Sequence, residues 1–248
     1  MNSEVRRSQL SSEGRYEKEL EAAKAQLLVF AREISTVYHR ERRQTQHMGT
    51  LMGELRENYL SIIQTLALLV EAKDEYTRYH LDRCREYGAA LANEIEPGMA
   101  TPELQYGFLL HDIGKIGVPE RILGKAGPLT FGEMEIIKTH PLVGIQMIGP
   151  MRRILDDRTL EVIRNHHERF DGDGYPDRLK GEQIPLAARI FSVVDAYDAM
   201  TTDRPYRKAL AFEEAMGRLR SGAGTQFDPD IVATFDKMMR REREAAQI

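Results

Sequence analysis

Five of the seven histidines in this chain fall between residues 80 and 167: His80, His111, His140 and the adjacent pair His166-His167. His111 is followed by Asp112, and Lys115 comes one turn later, giving His-Asp-Ile-Gly-Lys. Glu168 follows the histidine pair, then Asp171-Gly172-Asp173-Gly174-Tyr175-Pro176. Asp195 sits in the apolar run Ile190 to Asp198. Imidazole nitrogen and carboxylate oxygen suit first-row transition metals such as iron, manganese, zinc and nickel. Five imidazoles with Asp112 and Asp195 exceed the four ligands of a structural zinc site. The surplus predicts a cluster of two or more metals, a chemistry that cleaves phosphate esters.

Each residue has its own context. Asp112 closes the apolar stretch Phe108-Leu109-Leu110, where a carboxylate is costly without a cation. Asp195 lies in a segment as apolar, with Asp198 one turn later as its competitor. His80, among Arg78, Asp82 and Arg83, reads by itself as a surface histidine. His140 precedes Pro141, which predicts a helix end there, because the residue before proline avoids the helical region. The Asp171 segment begins like a calcium loop, but Tyr175 and Pro176 stand where an oxygen ligand and a glycine are needed. Gly172 and Gly174 instead allow tight backbone turns beside a ligand. Arg204, Arg207 and Lys208 surround Pro205-Tyr206 as a basic segment soon after Asp195.

His111-Asp112, His140, His166-His167, Gly174-Tyr175-Pro176 and Asp195, in this order, resemble the HD-GYP domain, a branch of the HD phosphohydrolases. The resemblance runs from about residue 57 to about residue 235. It implies a helical domain with a bi- or trinuclear metal centre, acting as a cyclic di-GMP phosphodiesterase. The ligands it implies are His80, His111, Asp112, His140, His166, His167 and Asp195, with Asp112 bridging two metals. It implies two divalent ions, iron or manganese first and zinc or nickel as alternatives. The trinuclear pattern has a glutamate one turn before the first histidine, and here that position is Tyr76, with Glu75 beside it. His167 either ligates a metal or contacts phosphate or water. The resemblance makes Asp198 the group that orients a histidine, and Arg204 and Arg207 the holders of substrate phosphates. Lys115 should reach the same phosphate or the attacking water. Tyr175 offers a phenol to phosphate or a ring face to a base. Glu168 orders a histidine or serves as a base. The product would be linear pGpG, or GMP after a second cleavage. Another cyclic dinucleotide as substrate, or a receptor that binds without cleaving, are the alternatives.

The chain has 248 residues, 42% hydrophobic and 30% charged, with a net charge of −4. That suits one domain of ordinary size with an extension. So small a net charge predicts neither a nucleic-acid polymer nor a membrane surface as partner. Cys84 is the sole cysteine, so no internal disulfide forms. The N-terminus lacks the apolar core of a signal peptide. The expected location is the cytoplasm.

The fold class expected is all-α: an HD-domain helical bundle preceded by a long helical, coiled-coil segment. Residues 1–13 are polar and predict disorder. Residues 14–56 predict a coiled-coil or dimerisation helix, and 57–248 the catalytic domain. Leu20, Ala23, Leu27, Phe30, Ile34 and Val37 step by three and four as a heptad seam. Glu41 to Gln44 interrupt it, and it resumes at Met48, Met52, Leu55, Tyr59, Ile62, Leu66 and Leu69 after a stutter. Gly49 and Gly53 weaken the helix there. A continuous helix to Val70 would span roughly 84 Å. A parallel homodimer is one reading of the seam; folding back as an extra helix is the other. With no sensor domain ahead of the helix, an upstream sensor or signalling protein is the expected source of control. Further helices are expected over 74–94, 102–114, 130–140, 156–167, from Pro185 through Asp198, 212–221 and 230–243. Thr130 and Glu133 form a capping-box signature.

Overall fold

The computed structural model describes residues 3–71, 80–125, 127–152, 155–203 and 208–245. Among its described residues the regular structure is helical, with one isolated bridge between Ala223 and Phe227 and no strand. Backbone contacts divide the chain into two units, residues 1–59 and 60–248.

Helix α1 is Ser3–Glu71. The helix takes in residues 3–13, the stretch for which the sequence predicts disorder. That segment is polar but holds no proline, and adding a turn to an existing helix avoids the nucleation cost. Gly49 and Gly53 leave the helix uninterrupted.

In the second unit, the chain continues through α2 His80–Ile95, α3 Pro102–Leu110, α4 Glu120–Leu123, α5 Phe131–Ile137, α6 His140–Ile148, α7 Asp157–Asn165, α8 Leu186–Thr201, α9 Phe212–Ser221 and α10 Pro229–Ala245. The expected start of α2 near Asp74 lies outside the described residues. Local chemistry sets the starts of several helices. Thr101 caps α3, its side chain accepting from Leu104 N, with Pro102 in the first turn. Thr130 and Glu133 form both halves of the capping box of α5. Asp156 caps α7 by accepting from Thr159 N at 2.9 Å.

Two departures from expectation matter for the site. Helix α3 stops at Leu110, and the chain tightens into a 3-10 turn over Ile113–Gly117. His140 does not end a helix; it begins α6, with Pro141 in the first turn. Proline is accommodated there because the first-turn N–H groups have no intrahelical partner.

Two apolar clusters hold these helices. In one, Cys84, Leu91, Leu104, Phe108, Phe191, Val194, Met216 and Phe235 join α2, α3, α8, α9 and α10. The rings of Phe108 and Phe191 stack at 5.0 Å. In the other, Leu81, Leu109, Ile113, Ile148 and Ile163 pack with Ile63, Ala67 and Val70 of α1. Burying each large side chain contributes about 1.5–3 kcal/mol. These clusters fix α2, α3, α6, α7 and α8, the helices that carry or adjoin the histidines.

Candidate metal centre

The five histidines come from four places in the fold. His80 opens α2, His111 caps the end of α3, His140 opens α6, and His166-His167 follow α7. His80, His111, His140 and His166 are buried.

Four of these rings are held in one way. His111 Nδ1 lies 2.9 Å from the Phe108 carbonyl and His140 Nδ1 lies 2.7 Å from that of Ile137. His166 Nδ1 lies 3.0 Å from the Val162 carbonyl. His80 Nδ1 lies 2.7 Å from Asp198 Oδ2. A carbonyl or carboxylate can only accept, so each Nδ1 carries the proton. In the neutral ring Nε2 is then a lone pair.

Those lone pairs converge on Asp112. His111 Nε2 is 3.1 Å from Asp112 Oδ2, His140 Nε2 is 3.2 Å from Oδ1 and His166 Nε2 is 3.8 Å from Oδ1. The Nε2 atoms of His140 and His166 are 3.3 Å apart. Asp112 Oδ1 is buried and has no hydrogen-bond partner. One donor atom from each of Asp112, His140, His166 and His167 lies within 4.8 Å of the others. His80, Cys84 and Asp195 form a second such group, with Asp195 Oδ1 3.8 Å from His80 Nε2. The rings of His80 and His111 are 5.7 Å apart, which brings the second group up to the first. Two facing imidazole lone pairs and an orphaned carboxylate oxygen are unfavourable together when buried. A cation between them satisfies all three, so the residues fit a metal.

The electrostatics differ between the rings: His166 and His167 are held neutral, while His111 keeps a second proton toward Asp112 until a cation takes its place. Burial opposes charge on His111, but the Asp112 carboxylate outweighs it and pushes His111 up to about 9. Burial likewise opposes charge on Asp112, yet Lys115 and His111 hold its carboxyl well below the usual range. Lys115 Nζ is 2.8 Å from Asp112 Oδ2. Burial lowers His166, and burial with the neighbouring His166 and His140 rings lowers His167 well below an ordinary histidine. Neutral imidazole is the form that binds metal.

Asp198 is buried and accepts from Arg83 Nη2 at 3.1 Å as well as facing His80. Arg83 Nη2 also reaches Thr202 Oγ1 at 2.8 Å. Burial raises the Asp198 carboxyl, but the bonds from His80 and Arg83 bring it below the usual carboxylate range.

Glu168 holds backbone amides rather than a histidine ring. It is buried, and its two oxygens accept from Asp177 N at 2.6 Å and Leu179 N at 3.1 Å. It anchors the loop that carries Tyr175. Asp177 fastens the same loop to α7, accepting from Arg164 Nε at 2.7 Å and Asn165 Nδ2 at 2.9 Å. Gly174 passes so close to the chain that a β-carbon would lie 2.3 Å from Arg169 N. The Tyr175 ring stacks on His167 at 4.9 Å. A cleft of about 710 Å³ opens there, with Lys138, His167, Gly174 and Tyr175 in its walls.

The structure thus brings together every expected ligand and places Lys115, Gly174 and Tyr175 around them. Arg204 and Arg207 lie outside the described residues, as do Glu75 and Tyr76. Sequence reasoning missed Cys84, whose Sγ is 3.5 Å from His80 Nδ1. The His80–Cys84 spacing of one helical turn was the available signal.

Comparison with known proteins follows the same lines. The HD domain family matches residues 61–231. The chain is 34% identical to the cyclic di-GMP phosphodiesterase response regulator RpfG of Xanthomonas campestris over 235 residues, 93% of this chain and 61% of that protein. It is 40% identical to a cyclic di-GMP phosphodiesterase of Pseudomonas aeruginosa over 196 residues, 78% of this chain and 47% of that one. It is 34% identical to the 3'3'-cGAMP-specific phosphodiesterase 2 of Vibrio cholerae over 185 residues, 73% of this chain and 35% of that one. The chain therefore spans between 35% and 61% of the length of these relatives. Among solved structures, an HDG"Y"P protein of Bdellovibrio bacteriovorus matches with a TM-score of 0.54 at 20% identity, over 67% of this chain and 53% of that one. That likeness establishes the fold. Among the described residues no helix is long and apolar enough to cross a membrane.

Proposed function

This chain belongs to the HD domain family, in its HD-GYP branch, and we propose that it is a metal-dependent phosphodiesterase that opens cyclic di-GMP to linear pGpG, with GMP after a second cleavage. The observation that carries the reading is Asp112 Oδ1: buried, without a hydrogen bond, and facing the Nε2 atoms of His140 and His166. His140, His166 and His167 would hold one ion and His80, His111 and Asp195 the other, with Asp112 between them. Two ions are proposed because Tyr76 stands where a third would need a carboxylate. Iron or manganese suits this nitrogen and oxygen set, and zinc or nickel is compatible with it. Bound there, such ions supply an activated water near neutral pH and neutralise the phosphoryl oxygens.

The chain's own groups do the rest. The carbonyls of Phe108, Ile137 and Val162, with Asp198, hold the four rings in the tautomer that presents Nε2. Lys115 steadies Asp112 and would meet a substrate phosphate beside it. The Tyr175 ring beside His167 gives a flat apolar wall for a base. Arg204 and Arg207 pair with phosphate by the bidentate geometry of guanidinium. The Xanthomonas relative is named a response regulator, which favours control of this chain by an upstream signalling protein.

A second reading keeps the chemistry and changes the substrate to 3'3'-cGAMP. The Vibrio relative named for that activity is as similar, at 34% identity, as RpfG. The test is a competition assay in which metal-loaded protein meets both dinucleotides and the products are separated by chromatography. A higher kcat/KM for cyclic di-GMP is expected. Preference for 3'3'-cGAMP would install the second reading, and cleavage of neither would refute both.

A further inference from the structure

Helix α1 exposes a long apolar seam. Leu27 is 69% exposed, Phe30 62%, Ile34 57%, Met48 60% and Leu55 51%. A seven-residue step from Leu20 passes through Leu27, Ile34, Glu41, Met48 and Leu55 without an insertion. The positions three residues after these are Ala23, Phe30, Val37, Gln44 and Leu51. This register differs from the stutter expected between Met48 and Met52, because Leu51, itself 44% exposed, keeps the seam in step. These are the two inward positions of a coiled coil.

We propose that the occupant of this seam is a second copy of the same helix, parallel and in register, aligned by a polar layer at Arg40 and Glu41. Two observations select that occupant. First, an apolar depression on the helix surface is lined by Ala23, Ala25, Gln26, Leu27, Val29 and Phe30. It includes Ala23, Gln26, Leu27 and Phe30, which in a parallel coil in this register form the hole receiving Leu27 of the second copy. Ala23 leaves the room and Phe30 supplies the wall. Second, the charged flanking positions suit a parallel pair, with Lys24 also bonded to Glu21 of its own helix at 2.9 Å. Glu19 and Lys24 fall at the flanking positions that meet across a parallel interface. The later flanking pairs, Gln26 with Ala31, Glu33 with Tyr38, Arg40 with Thr45 and His47 with Met52, set no like charges together.

The break in the seam then has a purpose. Glu41 stands at an inward position, and its hole contains Arg40 of the second copy. The two Glu41 carboxylates share this layer, and each also meets one Arg40 of the other copy, so two ion pairs offset the facing carboxylates, with Gln44 next to them. A slip of one heptad would bury Glu41 against apolar neighbours with no arginine beside it. A polar residue at an inward position costs stability and fixes register. This inference is independent of the catalytic reading, since none of its residues belongs to the metal centre.

The test uses the full chain. Sedimentation equilibrium at micromolar concentration should give a dimer, and Leu27→Lys with Ile34→Lys should give a monomer whose second unit keeps its helical circular dichroism. Mild oxidation of Ile34→Cys should yield a covalent dimer, because equivalent inward positions approach within disulfide reach only in a parallel, in-register pair. The native Cys84 is buried and adds no background. Glu41→Arg should weaken the dimer at least tenfold, and Arg40→Glu combined with it should restore it. A monomeric full chain overturns the proposal. A dimer that survives the two lysines, fails to cross-link, or is not rescued by the charge swap overturns it as well.

Discussion

A β-carbon placed on Gly114 would sit 1.9 Å from the carbonyl oxygen of His140. The glycine of His-Asp-Ile-Gly-Lys is therefore what lets α6 approach the turn after α3 and bring His140 to Asp112. Gly114→Ala should displace His140, lower stability by about 1–3 kcal/mol as overpacking does, and reduce both bound metal and turnover. Thermal unfolding and metal analysis of the variant check this. An unchanged metal content would mean that the close approach serves packing alone.

Asp112→Ala removes the one carboxylate that faces His111, His140 and His166 together. Turnover should disappear and metal content should fall, because among the described residues no other carboxylate is paired with these three rings. Mass-spectrometric metal analysis beside an activity assay measures both. Normal occupancy with normal turnover would remove Asp112 from the centre.

Asp198→Asn keeps the shape of the contact to His80 but takes away the charge that makes the ring a strong donor. Metal affinity should weaken about 10–100-fold, the usual effect of losing a partner behind a metal-bound histidine. Competition with a chelator gives the number. Full affinity would leave Asp198 as the partner of Arg83 only.

Arg204→Ala and Arg207→Ala should raise KM while leaving metal content unchanged. Each loses a charge-assisted phosphate contact of about 1.5–3 kcal/mol. Steady-state kinetics with unaltered KM in both variants would place this segment away from the substrate.

Lys125 and the Thr130 backbone and hydroxyl groups hold the Glu133 carboxyl down to about 2 from 4.5. Its folded value is depressed, so its stabilising effect is fully present above about 4.5 and is lost as pH falls toward about 2. Glu133→Gln should lower the melting temperature at pH 7, and the gap to wild type should close as pH drops below 4.5. A gap independent of pH would show that the charge is not involved.

Where local chemistry decides a structure, the sequence foretold it. Thr130 and Glu133 announced α5, Pro185 announced α8, and α9 runs over the residues expected, because caps and apolar periodicity act within one turn. The cluster of histidines and aspartates was legible from residue types and order. What was hidden depends on contacts between distant segments. Glu168 binds the amides of Asp177 and Leu179, which requires the loop to fold back on itself. His140 starts a helix because Pro141 fits a first turn as readily as it ends the previous helix, and only packing against Gly114 decides between them.

The most direct measurement strips the protein with a chelator and returns manganese stepwise while pGpG formation from cyclic di-GMP is followed. The stripped chain should be inactive, and activity should rise to a plateau at about two ions per chain, the number that one bridging carboxylate serves in a paired site. Hydrolysis by the stripped protein, or full metal loading with no cleavage of the dinucleotide, would contradict the assignment of this histidine and aspartate cluster as the hydrolytic centre.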